Sequence, residues 1–184
     1  MQRLTGNVLT IVIPDRSGQK RHWVVPFEQN KSFVGRESVL QQLLEKIPPG
    51  ASRGHCQRTA IVGLGGVGKT QIALEVVYRI HKEDPECSIF WVPAVDSTGF
   101  ERAYREIGRE LQIDGIDEDN SNVKSLIKAA LSQDRVGRWL LVVDNADDLE
   151  LIFGNKQTDD SVTSPSLVRC LPFGGHGSIL FTTR

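Results

Sequence analysis

The sequence predicts an α/β fold, a mostly parallel sheet with helices on both faces. Three observations carry this. Near-continuous apolar runs (RTAIVG, CSIFWVPA, RWLLVVD and GSILFTT) alternate with segments of helical period, as strands buried on both faces do. A glycine loop, GLGGVGKT, joins the first of these runs to the helix behind it. The third run ends in a carboxylate, Asp144.

The elements follow in order. Residues 7–13 (NVLTIVI) and 20–25 (KRHWVV) flank a turn-forming DRSG and read as a β-hairpin. Val39, Leu40, Leu43, Leu44 and Ile47 fall at helical spacing, and Pro48, Pro49 and Gly50 end that helix. RTAIVG is a strand, and KTQIALEVVYRIHKE an amphipathic helix. CSIFWVPA is the next strand, followed by helices over FERAYREIGRELQI and VKSLIKAALSQ with the loop GIDEDNSN between them. RWLLVVD is a third strand, followed by a helix in DDLELIF and a polar excursion over 155–165. A short helix through SLVRCL precedes the strand GSILFTT.

Composition narrows the class. The net charge of −1 gives no basic field for nucleic acid or an anionic membrane surface. Cys56, Cys87 and Cys170 are isolated and odd in number, which suits reduced thiols better than disulfides or a metal centre. No apolar run approaches the roughly 18 residues of a membrane span, and VLTIVI is too short for a signal sequence. A cytoplasmic protein without nucleic-acid or membrane partners is expected. Trp23, Trp91 and Trp139 are expected in the core, and His22, His55, His81 and His176 make no ligand cluster.

The loop fits two patterns. Gly63, Gly65 and Gly68 match G-x-G-x-x-G, and the whole matches G-x-x-x-x-G-K-[ST]. The first would mean a dinucleotide and needs an acidic residue closing the second strand; CSIFWVPA has none. The second means a nucleoside triphosphate. It needs Lys69 as a charge for phosphate, Thr70 as a hydroxyl for Mg²⁺ and a later strand ending in aspartate, and Asp144 supplies that. Guanine readers carry N-K-x-D and D-x-x-G motifs, which are missing here, so adenine is favoured.

After Asp144 the chain reads Asn-Ala-Asp-Asp. A second carboxylate here would act on the attacking water, with Asp148 first in line and Asp147 second. The competing use of the same residue type is to cap the helix in DDLELIF. At the end of GSILFTTR, Thr182, Thr183 and Arg184 fall at the carboxyl end of a parallel strand, where ligands bind. Arg184 is placed to sense a γ-phosphate.

These pieces, in this order, resemble the nucleotide-binding core of the NB-ARC family within the STAND class of signal-transduction ATPases, its fungal members in particular. FVGRES, GLGGVGKTQIALEVVYRI, FWVPAVDSTGFERAYREIGREL, WLLVVDNADD and GSILFTTR carry the likeness, over about residues 24–184. The resemblance implies a three-layer P-loop NTPase of the ASCE type, with the strand of Arg184 between the loop strand and the Asp144 strand. A β-hairpin and helix precede it, so residues 1–30 are a lead-in and 31–184 the NB-ARC domain. It implies that Val34, Gly35 and Arg36 lie at the adenine and ribose. Gly63, Gly65, Gly66, Val67, Gly68, Lys69 and Thr70 take the phosphates, and Thr70 and Asp144 the Mg²⁺. Where plant members often have a second aspartate at the tip of the metal strand, this chain has Asn145, which favours Asp148 as the acid.

Family members continue past the sensor arginine into a fifth strand, a helical domain and a winged helix. Sensing repeats often follow, and an effector domain often precedes the whole. The chain is therefore expected to be incomplete at its C-terminal side, with effector and sensor domains outside it. RTAIVG becomes a sheet edge or is covered by the N-terminal hairpin; an exposed edge invites self-association. ADP is expected to be held more weakly than by a complete switch. The function implied is an ADP/ATP switch of an NLR-like, innate-immunity or incompatibility protein, with slow ATP hydrolysis at most. The alternative is another P-loop ATPase or a small-molecule kinase with real turnover, though no arginine-rich lid segment is evident.

Overall fold

The computed structural model describes residues 20–47, 55–133, 136–154 and 166–184. The first arm of the expected hairpin, residues 7–13, and the polar excursion over 155–165 lie outside the described residues.

In chain order the elements are β1 (Trp23–Val24), α1 (Glu37–Lys46), β2 (Gln57–Val62), α2 (Lys69–Glu83), β3 (Ser88–Pro93), α3 (Ser97–Glu110), α4 (Val123–Ser132), β4 (Trp139–Asp144), α5 (Leu149–Phe153), α6 (Leu167–Cys170) and β5 (Gly177–Thr183). The sheet has five strands in the order β1-β3-β4-β5-β2, every neighbouring pair parallel. The Arg184 strand, β5, lies between the loop strand β2 and the Asp144 strand β4, as the resemblance implies.

The apolar runs are continuous because both faces of the sheet are covered. Along β3, Ile89 and Trp91 face a core shared with Leu40, Leu43, Ile72, Val76 and Ile80 of α1 and α2. Phe90 and Val92 face a second core with Phe100, Tyr104 and Ile107 of α3 and Ile127 and Leu131 of α4. The period-two alternation thus divides one strand between two cores. Each large side chain buried this way contributes roughly 1.5–3 kcal/mol. Trp91 and Trp139 are buried, whereas Trp23 is only half-buried.

One of the two expected outcomes for the loop strand holds among the described residues: β2 lies at a sheet edge. Within residues 20–25, Trp23–Val24 form β1 at the opposite edge, with Trp23 opposite Ile89 and Val24 opposite Phe90. The aromatic side chain sets this position: Trp23 packs on Tyr78 and His81 of α2, at ring-centroid distances of 5.1 and 4.1 Å. Among the described residues β2 therefore has one sheet neighbour, β5. Helix α3 also starts earlier than its apolar pattern suggests, at Ser97, because the Asp96 side chain accepts the Gly99 N–H at 2.7 Å and caps it.

Candidate nucleotide-binding site

Parallel pairing brings the carboxyl ends of β2, β4 and β5 to one edge of the sheet. The register sets Val62 of β2 beside Thr183 of β5, and Val143 of β4 beside Phe181. The glycine loop, Asp144 and Thr182–Arg184 therefore meet there.

The loop leaves β2 tied to β5, with the Gly63 N–H donating to the Thr183 carbonyl at 3.2 Å. Gly66 and Gly68 sit at φ of +80° and +88°, in the left-handed region that side chains avoid. Gly68 then starts α2, and the Ile72 N–H closes the first turn on its carbonyl at 2.9 Å. The turn aims the free N–H groups of the helix start at the space above the loop. Lys69 folds back over the loop, its Nζ donating to the carbonyls of Gly63 (2.7 Å) and Leu64 (2.9 Å). Val67 and Leu64 are exposed.

Asp144 is buried at the tip of β4. Its Oδ1 accepts two hydroxyl protons, from Thr70 at 2.9 Å and from Thr182 at 2.6 Å. Thr182 was legible in the sequence only as a neighbour of the site; its bond to Asp144 depends on the β4–β5 pairing and carries no local signal. The turn after β4 is pinned to the end of β5. The Asn145 N–H donates to Thr182 Oγ1 at 2.8 Å, the Ala146 N–H to the Thr182 carbonyl at 2.8 Å, and Thr183 Oγ1 to the Ala146 carbonyl at 2.8 Å. Asn145 takes φ +63° to make this turn.

The two candidate acids occupy different places. Asp148 caps α5, its Oδ1 accepting the N–H groups of Glu150 (2.9 Å) and Leu151 (3.0 Å). Asp147 faces Arg184: Oδ1 accepts the Arg184 backbone N–H at 2.7 Å and Oδ2 the Nε at 3.0 Å. The arginine lies against the loop, its guanidinium 3.7–3.8 Å from where a Cβ on Gly65 would stand.

The chain from Asn30 through FVGRES is tied to α2: Asn30 Nδ2 donates to Gln71 Oε1 at 2.9 Å, and Arg79 forks onto both oxygens of Glu37 at 2.9 and 3.0 Å. Gly35 and Arg36 take φ of +82° and +62°, and Arg36 starts α1. Val34 is 86% exposed.

The donor set fits a small hard cation. Among the described residues no group of three or more His, Cys, Asp or Glu side chains could hold a metal ion. A cation here would rest on one hydroxyl, one carboxylate and the oxygens of a bound phosphate, which is how Mg²⁺ is commonly held. Thr70 already gives its proton to Asp144, so the lone pairs of its oxygen remain for a ligand role.

Comparison with known proteins agrees with this architecture. A family model described as an AAA domain matches residues 52–167. A protein of Hyaloscypha variabilis named "nucleotide-binding leucine-rich repeat (NLR)-like protein" is 48% identical over 180 residues, covering 96% of this chain. The chain spans 18% of that relative's length. The crystal structure of Cdc6p from Pyrobaculum aerophilum superposes with a TM-score of 0.53 at 18% identity, over 87% of this chain and 41% of that one, and shares the fold. With more than half of the chain inside the matched span, the chain belongs to the AAA-domain family of P-loop ATPases.

Proposed function

We propose that this chain is the nucleotide-binding part of an ADP/ATP switch in an NLR-like signalling protein. The observation that carries the reading is the convergence, at one end of the sheet, of Lys69 and Thr70 on the loop, Asp144 on β4 and Arg184 on β5. In this reading the loop N–H groups and Lys69 bind the phosphates. The ammonium exchanges the two loop carbonyls for phosphate oxygens. Thr70 and Asp144 hold Mg²⁺, which neutralises charge on the phosphates. Val34, Gly35 and Arg36 receive the adenine and ribose, and α2 links them to the loop.

Arg184 supplies the state dependence. A γ-phosphate competes with Asp147 for the guanidinium, so ATP releases the arginine from its carboxylate and ADP leaves it there. That exchange also frees Asp147 to orient water. Asp148 spends Oδ1 on its helix cap and keeps Oδ2 for water. The reading expects slow hydrolysis, and output through conformation rather than product. Cytoplasmic residence belongs to the same proposal and is supported by three free cysteines. So does self-association through the β2 edge, which among the described residues has one sheet neighbour; sedimentation at increasing concentration would show it as a rising mass.

The test is a thermal-shift and turnover series. Mg-ADP and Mg-ATP are expected to raise the melting temperature and Mg-GTP to leave it unchanged, with phosphate release far below one turnover per second. Brisk turnover would favour a working ATPase instead.

A further inference from the structure

We infer that Thr182 is a positioning residue for the cation site, fixing Asp144 so that Thr70 offers lone pairs rather than its proton to the metal. This rests on the Mg²⁺–nucleotide reading above and deepens it.

Thr182 is 1% exposed, and its hydroxyl has a defined polarity. The Asn145 N–H donates to it at 2.8 Å, so one lone pair is taken. Its proton goes to Asp144 Oδ1 at 2.6 Å. The same oxygen accepts the Thr70 proton at 2.9 Å. A carboxylate has no proton to give, so Thr70 is the donor in its pair. Only in that polarity does Thr70 Oγ1 face a cation with free lone pairs. The Thr182 bond is the shorter of the two and comes from a strand anchored in the sheet. It therefore sets where Oδ1 sits, and Thr70 follows.

Thr183 provides an internal control. It is the same residue type one position on, yet its hydroxyl turns away and donates to the Ala146 carbonyl at 2.8 Å. Thr183 makes no hydrogen bond to the Asp144 side chain.

The experiment measures ATP affinity by calorimetry, once in excess Mg²⁺ and once in excess EDTA; the ratio is the Mg²⁺-dependent gain. Thr182→Val keeps the shape and loses the hydroxyl. Its gain is expected to fall about tenfold or more, the usual cost of losing a partner that orients a metal ligand. Its affinity in EDTA should stay near the parent's. Thr182→Ser restores the hydroxyl and is expected to restore the gain, and Thr183→Val to keep it. If Thr182→Val does not fold, Thr182→Ala against Thr182→Ser is read the same way. A Thr182→Val gain equal to the parent's overturns the inference. So does an equal loss in Mg²⁺ and in EDTA, which would mark a purely structural role. A parent whose ATP affinity ignores Mg²⁺ instead sinks the underlying cation-site reading.

Discussion

Asp147 grips Arg184 at two points, the backbone N–H at 2.7 Å and the side-chain Nε at 3.0 Å. The carboxylate thereby holds Arg184, just past the end of β5, against the glycine loop. Because Arg184 is largely exposed, the pair itself adds little stability. Its consequence is for ligand choice.

Arg184→Ala is expected to lower ATP affinity about ten- to a hundredfold, the effect of losing a hydrogen bond to a charged group, and to leave ADP affinity unchanged. Asp147→Asn removes the competitor and should shift the ATP/ADP preference toward ATP. Competition titrations of both nucleotides read the ratio. Equal losses for ATP and ADP in Arg184→Ala would contradict γ-phosphate sensing.

Gly177 opens β5 against Trp139 of β4, and a Cβ there would stand 1.9 Å from the indole. Trp139 is fully buried and has no room to retreat. Gly177→Ala is expected to cost about 3 kcal/mol or more, at the upper end of overpacking. Urea unfolding of the variant and the parent measures it; a change under 1 kcal/mol (roughly, within ordinary surface noise) would mean the strands part more easily than they pack here.

Cys87 is fully buried, and burial pushes its thiol up to about 12. Burial also raises Cys56 and Cys170. Thiolate is the reactive form, so a thiol reagent at pH 8 should leave Cys87 unmodified in the folded chain and modify it in denaturant. Mass mapping after each treatment checks this.

The Glu110 carboxyl is held below its ordinary value of 4.5, first by the hydrogen bond from His22 and then by Lys20. The unfolded chain therefore takes up this proton first as pH falls. The contribution is complete above about pH 4.5 and is lost as acid passes through the lowered value. Glu110 is partly exposed, so solvent screening keeps the effect small. Glu110→Gln should flatten the acid limb of stability against pH and leave the neutral plateau little changed. Thermal melts across that range are the measurement.

Much of this was legible in the sequence because burial on both faces writes strands as unbroken apolar runs. The loop was legible because phosphate binding needs glycine, lysine and a hydroxyl at fixed spacing. Arg184 could be placed because parallel strands present their carboxyl ends together. What the sequence hid depends on pairing between distant segments. Asp147 and Asp148 are one residue type in one short turn, yet one faces an arginine and the other caps a helix. Trp23–Val24 is too short to announce a parallel edge strand, and its place follows from the contact with α2. Thr182 reads as a neighbour of the site, but its bond to Asp144 stays hidden until β4 is laid beside β5.

The most direct test is a calorimetric titration of the chain and of Lys69→Ala with Mg-ATP and Mg-ADP. The account predicts one saturable site in the chain and a loss of at least about tenfold in Lys69→Ala, since the ammonium is the loop's one side-chain charge for phosphate. Equal binding by both proteins would contradict the phosphate-loop site on which the switch depends.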